Sequence, residues 1–172
     1  MLSETFKKLL MGQAFSIENG RIKLFGRTDW SVVPSNVVAE LLQNIAKNRG
    51  EKHLFDFGYD CGVFLSRDVI KGNYLNTKDK IEIKNEFIKL LDFIGFGKIE
   101  LIVKDKNALV IRTYKNPVIE HASSAFGNKS LVCKWFMGVY TAYGELFGIK
   151  SIRLREKKCI CKGDPYCEWE SG

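Results

Sequence analysis

The sequence predicts an α/β fold of the α+β type, an antiparallel sheet packed with about four to five helices in a single domain. Two observations predict it: long segments whose apolar residues recur at helical spacing between Asn- and Gly-containing stops, and short β-branched runs joined in pairs by turn signals. Size agrees, because 172 residues that are 45% hydrophobic, with only three prolines, suit one compact core spanning 1–172.

The elements follow in order. Phe15 to Phe25 alternates loosely around Asn19-Gly20, a dipeptide suited to a tight hairpin, so residues 1–30 read as an N-terminal extension and hairpin. From Pro34, Val37, Val38, Leu41, Leu42 and Ile45 recur at helical spacing, with Ser31 to Ser35 supplying the start and Asn48-Arg49-Gly50 the stop. A second helix is expected from about Leu54 to Val69, ending at Lys71-Gly72. A third should run from about Lys78 to Phe93 and stop at Gly95-Phe96-Gly97.

Then the period changes. Ile99 to Val103 and Leu109 to Tyr114 are apolar or β-branched runs around Asp105-Lys106-Asn107, an antiparallel hairpin closed by Asn116-Pro117. The best-defined helix comes next, capped by Ser130, with Val132, Trp135, Phe136, Val139, Tyr140, Tyr143 and Phe147 on its apolar face and Gly148 at its end. The chain finishes as strand, turn and strand, with Ile152 and Leu154 alternating with Arg153 and Arg155, and Lys162-Gly163-Asp164-Pro165 turning into Cys167-Glu168-Trp169.

Composition narrows the function classes. No run of 18 or more apolar residues occurs and no secretory pattern opens the chain, so a cytoplasmic protein is expected. The charge of +7 is spread along the sequence except for a patch from Lys150 to Lys162, so direct binding to nucleic acid is not expected. His53 and His121 have no spaced partner, and Gly95-Phe96-Gly97 lacks the strand-before, helix-after setting of a nucleotide loop, which leaves no catalytic or nucleotide-cofactor motif.

The cysteines carry the strongest chemical signal. An odd count of five argues against a disulfide framework, and Cys159, Cys161 and Cys167 lie on the two arms of one expected hairpin, where their sulfurs can converge. Cys133 falls about three residues inside a helix, whose N-terminal amide groups and partial positive charge favour a thiolate. A structural zinc needs four such ligands, and the residues leave the fourth open: Cys161 completes an all-cysteine set, Glu156 a three-cysteine, one-carboxylate set. In an unbroken strand Glu156 and Cys159 point to opposite faces, so their joint use requires a bulge, for which Lys157-Lys158 is the natural place.

Residues 116–169 also carry a recognisable pattern: Asn116-Pro117, Glu120, Cys133, Phe136, Gly138, Leu146-Phe147-Gly148, then Glu156-x-x-Cys159 and Gly163-Asp164-Pro165-x-Cys167-x-Trp169. This resembles the vinyl-4-reductase domain family, which includes sensory domains of regulators that respond to phenols and other aromatics and is related to subunits of a Golgi vesicle-tethering complex. The resemblance implies a zinc signature region with spacings of 23, 3 and 8 residues. It implies Cys133, Glu156, Cys159 and Cys167 as ligands of one structural zinc, with Cys161 a bystander. It further implies a homodimer and an apolar pocket for a small aromatic or otherwise apolar molecule, drawing on Val110, Arg112, Met137 and Leu154. Were Arg112 to point inward, an anionic ligand would be required. The expected function is therefore a non-enzymatic sensor or carrier, with a vinyl-group reductase or a protein adaptor as the alternatives.

Overall fold

A computed structural model describes residues 15–18, 21–24, 28–31, 33–71, 85, 88, 89, 91–103, 108–146 and 152–171, and the structural statements below concern these residues. They divide into two compact units, Met1–Pro34 and Ser35–Gly172. The first contains an antiparallel three-stranded sheet of β1 (Phe15–Glu18), β2 (Arg21–Leu24) and β3 (Thr28–Trp30). The expected hairpin is present, with Ile17 opposite Ile22, and a further short strand places Trp30 opposite Ile22. Its Asn19-Gly20 turn lies outside the described residues.

The second unit has four helices, α1 (Ser35–Arg49), α2 (Glu51–Lys71), α3 (Pro117–Phe126) and α4 (Cys133–Leu146). Its sheet comprises β4 (Lys98–Val103), β5 (Leu109–Tyr114), β6 (Leu154–Lys158) and β7 (Cys167–Ser171). The strands are antiparallel in the order β4-β5-β7-β6, so the two hairpins meet along β5 and β7.

α1 ends as expected at Gly50, whose φ of 89° suits the left-handed position after a helix and whose N–H reaches the Ala46 carbonyl at 2.8 Å. Its buried face is rotated from the expected one. Ala39, Leu42, Gln43 and Ala46 face inward, while Val37 and Leu41 are 49% and 55% exposed. Small alanines let α1 lie close to α3, and Gln43 is buried because both ends of its amide are hydrogen-bonded. α2 begins one turn before the expected Leu54.

Residues 85, 88, 89 and 91 are helical and run into a π-helical turn at Asp92–Phe96, broken by Gly95 at φ 91°. The expected start of that helix at Lys78, the Gly72 stop, the turn at 105–107 and the end of α4 at Phe147-Gly148 lie outside the described residues. α3 was not expected, since Asn116-Pro117 reads as a turn. Here Asn116 caps a helix, its Oδ1 accepting from the Val118 and Ile119 amides at 3.0 Å each, with Pro117 in the first helical position.

α2 and α4 pack backbone to backbone. A Cβ on Gly58 would sit 2.1 Å from the Trp135 carbonyl oxygen, and one on Gly138 would sit 2.1 Å from that of Phe55. The aromatic stripe of α4 is core: Tyr140 contacts Phe136, Tyr143 and Trp169, with ring centroids 6.2, 6.3 and 5.2 Å away. Its hydroxyl meets Thr113 Oγ1 at 2.8 Å, which fixes Leu109, Ile111 and Thr113 of β5 and Cys167 and Trp169 of β7 as the face turned towards α4. Arg112 lies on the other face and pairs with Glu168 at 2.7 Å.

Candidate metal centre and adjoining cleft

The four C-terminal cysteines converge. Cys133 is the first residue of α4, rather than about three residues inside it, which puts its sulfur directly at the helix N-terminus. Cys159 follows β6, Cys161 lies in the 3₁₀ turn Ile160–Lys162, and Cys167 opens β7. The Cys133 sulfur lies 3.3 Å from that of Cys159 and 3.8 Å from that of Cys167. The sulfurs of Cys133, Cys159 and Cys161 all lie within 4.8 Å of one another. All four side chains are buried and none is in a disulfide.

Local sequence builds this geometry. Asp164 Oδ2 accepts from the Cys159 amide at 2.8 Å, while the Lys162 and Asp164 amides donate back to the Cys159 carbonyl at 2.8 and 3.2 Å. Gly163 supplies the left-handed exit at φ 96°. The Ile160 amide donates to the Cys167 sulfur at 3.3 Å, the kind of contact that orients and stabilises a thiolate. α3 supports the turn from behind, with Ser123 Oγ donating to the Ile160 carbonyl at 3.3 Å and the Cys161 thiol facing the Ile119 carbonyl at 3.9 Å.

The ladder between β6 and β7 slips between Glu156 and Lys158. Glu156 is opposite Trp169, on the face turned to α4, whereas Lys158 is opposite Glu168 on the other face. Lys157 is the extra residue of a bulge, at the place the sequence suggests, and the side of the sheet that carries Glu156 is also the side of Cys159. The Glu156 carboxylate is engaged by the Lys162 ammonium, and its side chain is only 12% exposed.

Electrostatically the cluster favours one thiolate. Hydrogen bonds from Cys133, Cys161 and Cys167 draw the Cys159 thiol well below the ordinary thiol range. Bonding to Cys159, Cys161 and Cys167, together with burial, pushes the Cys133 thiol up. The hydrogen bond to Glu156 holds the Lys162 ammonium charged, raising its pKa against the opposing effect of burial.

A tetrahedral zinc with sulfur ligands at about 2.3 Å has edges of about 3.8 Å. The sulfur separations of 3.3 and 3.8 Å fall near that edge. With buried sulfurs and a hydrogen bond to one of them, the donor set fits a metal ion.

Two residues without a distinguishing sequence signal shape the centre. Lys162 reads in sequence as part of a basic patch and a turn, with nothing to mark its hold on Glu156. Gln43 clamps the approach to Cys133, donating to the Lys129 carbonyl at 3.1 Å and accepting from the Leu131 amide at 2.9 Å. Nothing local marks Gln43, because its partners lie 86 and 88 residues away.

Along the seam of α2 and α4 runs an open cleft of about 740 Å³, floored by Phe55, Met137, Thr141, Ile152 and Leu154. Its rim is polar, with Lys134 paired to Glu51 at 3.4 Å and the Tyr59 hydroxyl donating to Glu145. Met137 and Leu154 both line this cleft. Val110 and Arg112 do not join them: both lie on the face of the sheet turned away from α4, and Arg112 already has its anion in Glu168. Between the sheet and α4, where a pocket was expected, there is a void of about 20 Å³ beside Ile111, Tyr140 and Tyr143.

No family model matches the sequence, and no curated protein matches it. Solved structures do. The phenol-responsive sensory domain of the transcription activator PoxR, determined with phenol, matches at a TM-score of 0.72 and 15% identity, over 99% of this chain and 90% of that one. An H-NOX protein from S. oneidensis in the Fe(II)NO state matches at 0.57 and 13%, over 98% and 87%. A vinyl-4-reductase family protein from Methanocaldococcus jannaschii matches at 0.55 and 17%, over 83% of each chain. At these identities the likeness establishes the fold.

Proposed function

We propose that this chain is a non-enzymatic, zinc-stabilised domain that binds a small, largely apolar or aromatic molecule and acts as a sensor or carrier. The observation that carries the reading is the cleft of about 740 Å³ on α4, the same helix whose first residue is Cys133. Its size is that of a small-molecule site, its floor is apolar, and its polar rim can fix an orientation. The PoxR domain, with the same fold, was determined with phenol bound.

In this reading zinc is held by Cys133, Glu156, Cys159 and Cys167. With every position filled by protein, the ion has no open site for substrate and serves to pin α4 to the β6–β7 hairpin. Four buried free thiols suit a reducing, cytoplasmic setting. The exposed apolar side chains of Val37 and Leu41 on α1, and of Phe57 and Phe64 on α2, offer surface for a homodimer.

The test is native mass spectrometry of the purified chain, joined to thermal shift with phenols and neutral aromatics. A ligand at about 100 times its Kd should stabilise the domain by about 2.7 kcal/mol, and Met137→Trp should abolish the shift by filling the cleft. If ligands stabilise Met137→Trp as strongly as the parent chain, the cleft is not the site.

A further inference from the structure

The four cysteines and Glu156 together offer one donor more than a tetrahedral ion needs. Cys133, Cys159 and Cys167 account for three positions. Glu156 and Cys161 compete for the fourth, and the arrangement of the 3₁₀ turn at Ile160–Lys162 links the two. That turn carries Cys161 towards the cluster and, in the next residue, Lys162, which grips the Glu156 carboxylate. Its pivot is fixed at Cys159, whose amide is held by Asp164.

We propose that Cys161 is an exchangeable ligand, taking the fourth coordination position whenever Lys162 holds Glu156, so that the centre alternates between a three-sulfur, one-carboxylate set and a four-sulfur set. This rests on the metal reading above. Three features support it. The Cys161 sulfur is within 4.8 Å of those of Cys133 and Cys159, so closing those two edges to the roughly 3.8 Å of a zinc–sulfur tetrahedron requires a shift of about 1 Å. Cys161 is otherwise held by the long contact to the Ile119 carbonyl and by the Ser130 side chain, weak thiol bonds that it gives up readily. Glu156 has a competing partner, and in this structure that partner holds it.

The exchange balances simply. As Cys161 binds, its thiol proton passes to solvent and the carboxylate–metal bond is replaced by a sulfur–metal bond, with the freed carboxylate neutralised by the Lys162 ammonium. When Glu156 returns, a proton is taken up again and the thiol resumes its place against α3.

Cobalt(II) in place of zinc reports the donor set, because sulfur-to-cobalt charge-transfer absorption grows with the number of thiolates bound. The full chain and the variants Cys161→Ser, Glu156→Gln and Lys162→Met would be titrated with cobalt alone. Glu156→Gln should bind one cobalt with absorption about one-third stronger than Cys161→Ser, four sulfurs against three. The parent chain should fall between them, and Lys162→Met, which frees Glu156, should move towards Cys161→Ser. If Cys161→Ser leaves the intensity of the parent and of the Glu156→Gln background unchanged, Cys161 is not a ligand, while the metal reading stands. If the parent chain binds no cobalt, both fail. A rise in Glu156→Gln needs no Cys161 substitution, so it decides the question even should Cys161→Ser fold poorly.

Discussion

Gly138→Ala tests how the two central helices are held together. The new Cβ would meet the Phe55 carbonyl oxygen at 2.1 Å and the Tyr59 amide nitrogen at 2.7 Å. Ordinary contact begins near 3.4 Å, so α2 and α4 must part by about 1.3 Å at that point, and the obstacle is backbone that cannot swing aside. Overpacking of this kind costs about 1–3 kcal/mol, whereas alanine's better helix propensity returns up to about 1 kcal/mol. Sterics win here because the parting is felt along the whole seam, and a net loss of about 2 kcal/mol is expected. For a domain of this size that lowers the melting temperature by roughly 4–8 °C. Urea unfolding at matched zinc would measure it as a lower midpoint with an unchanged slope. Gly144→Ala is the control, since the nearest atom its Cβ would meet is the tip of the Ile152 side chain at 2.6 Å, which can move. Equal stability of Gly138→Ala and the parent, or a greater loss in Gly144→Ala, would refute the reasoning.

Elemental analysis should find about one zinc per chain. Cys167→Ala should lose both that metal and several kcal/mol of stability, so retention of a full complement would show the sulfur cluster is not the site. Gln43→Leu should destabilise by about 1 kcal/mol, because it strands the half-buried Leu131 amide and removes the partner of the Lys129 carbonyl. If the cysteine cluster holds a metal, the same substitution should weaken its retention against a chelator, since the chain entering α4 is no longer held; an unchanged release rate would confine Gln43 to a packing role.

Most of the secondary structure was legible because it is written in local periodicity: α1, α2, α4 and the strands of both hairpins lie close to where apolar spacing puts them. The convergence of the cysteines was legible too, since a strand–turn–strand brings its arms together whatever surrounds it. α3 was missed although its signal was present, for Asn followed by Pro marks a helix start as readily as a turn, and only the residues behind it decide. The buried face of α1 was misread because Gln43 counts as polar until its partners are known. Arg112 was ambiguous for a related reason: strand parity alone does not say which face of β5 meets a helix, and Glu168 became its visible partner only once β5 and β7 were paired.

The bulge at Lys157 gives the spacing Glu-x-x-Cys a meaning of its own. Three steps along an even ribbon separate two side chains onto opposite sides, so a motif whose two residues share a side encodes a break in the ribbon as well. The count in the sequence is odd, while the separation in space behaves as even. Inserting or removing one residue between Glu156 and Cys159 would therefore alter more than distance. It would send one of the two to the far surface of the sheet, and the carboxylate would exchange its place beside Lys162 for one among the charged side chains around Arg112 and Glu168.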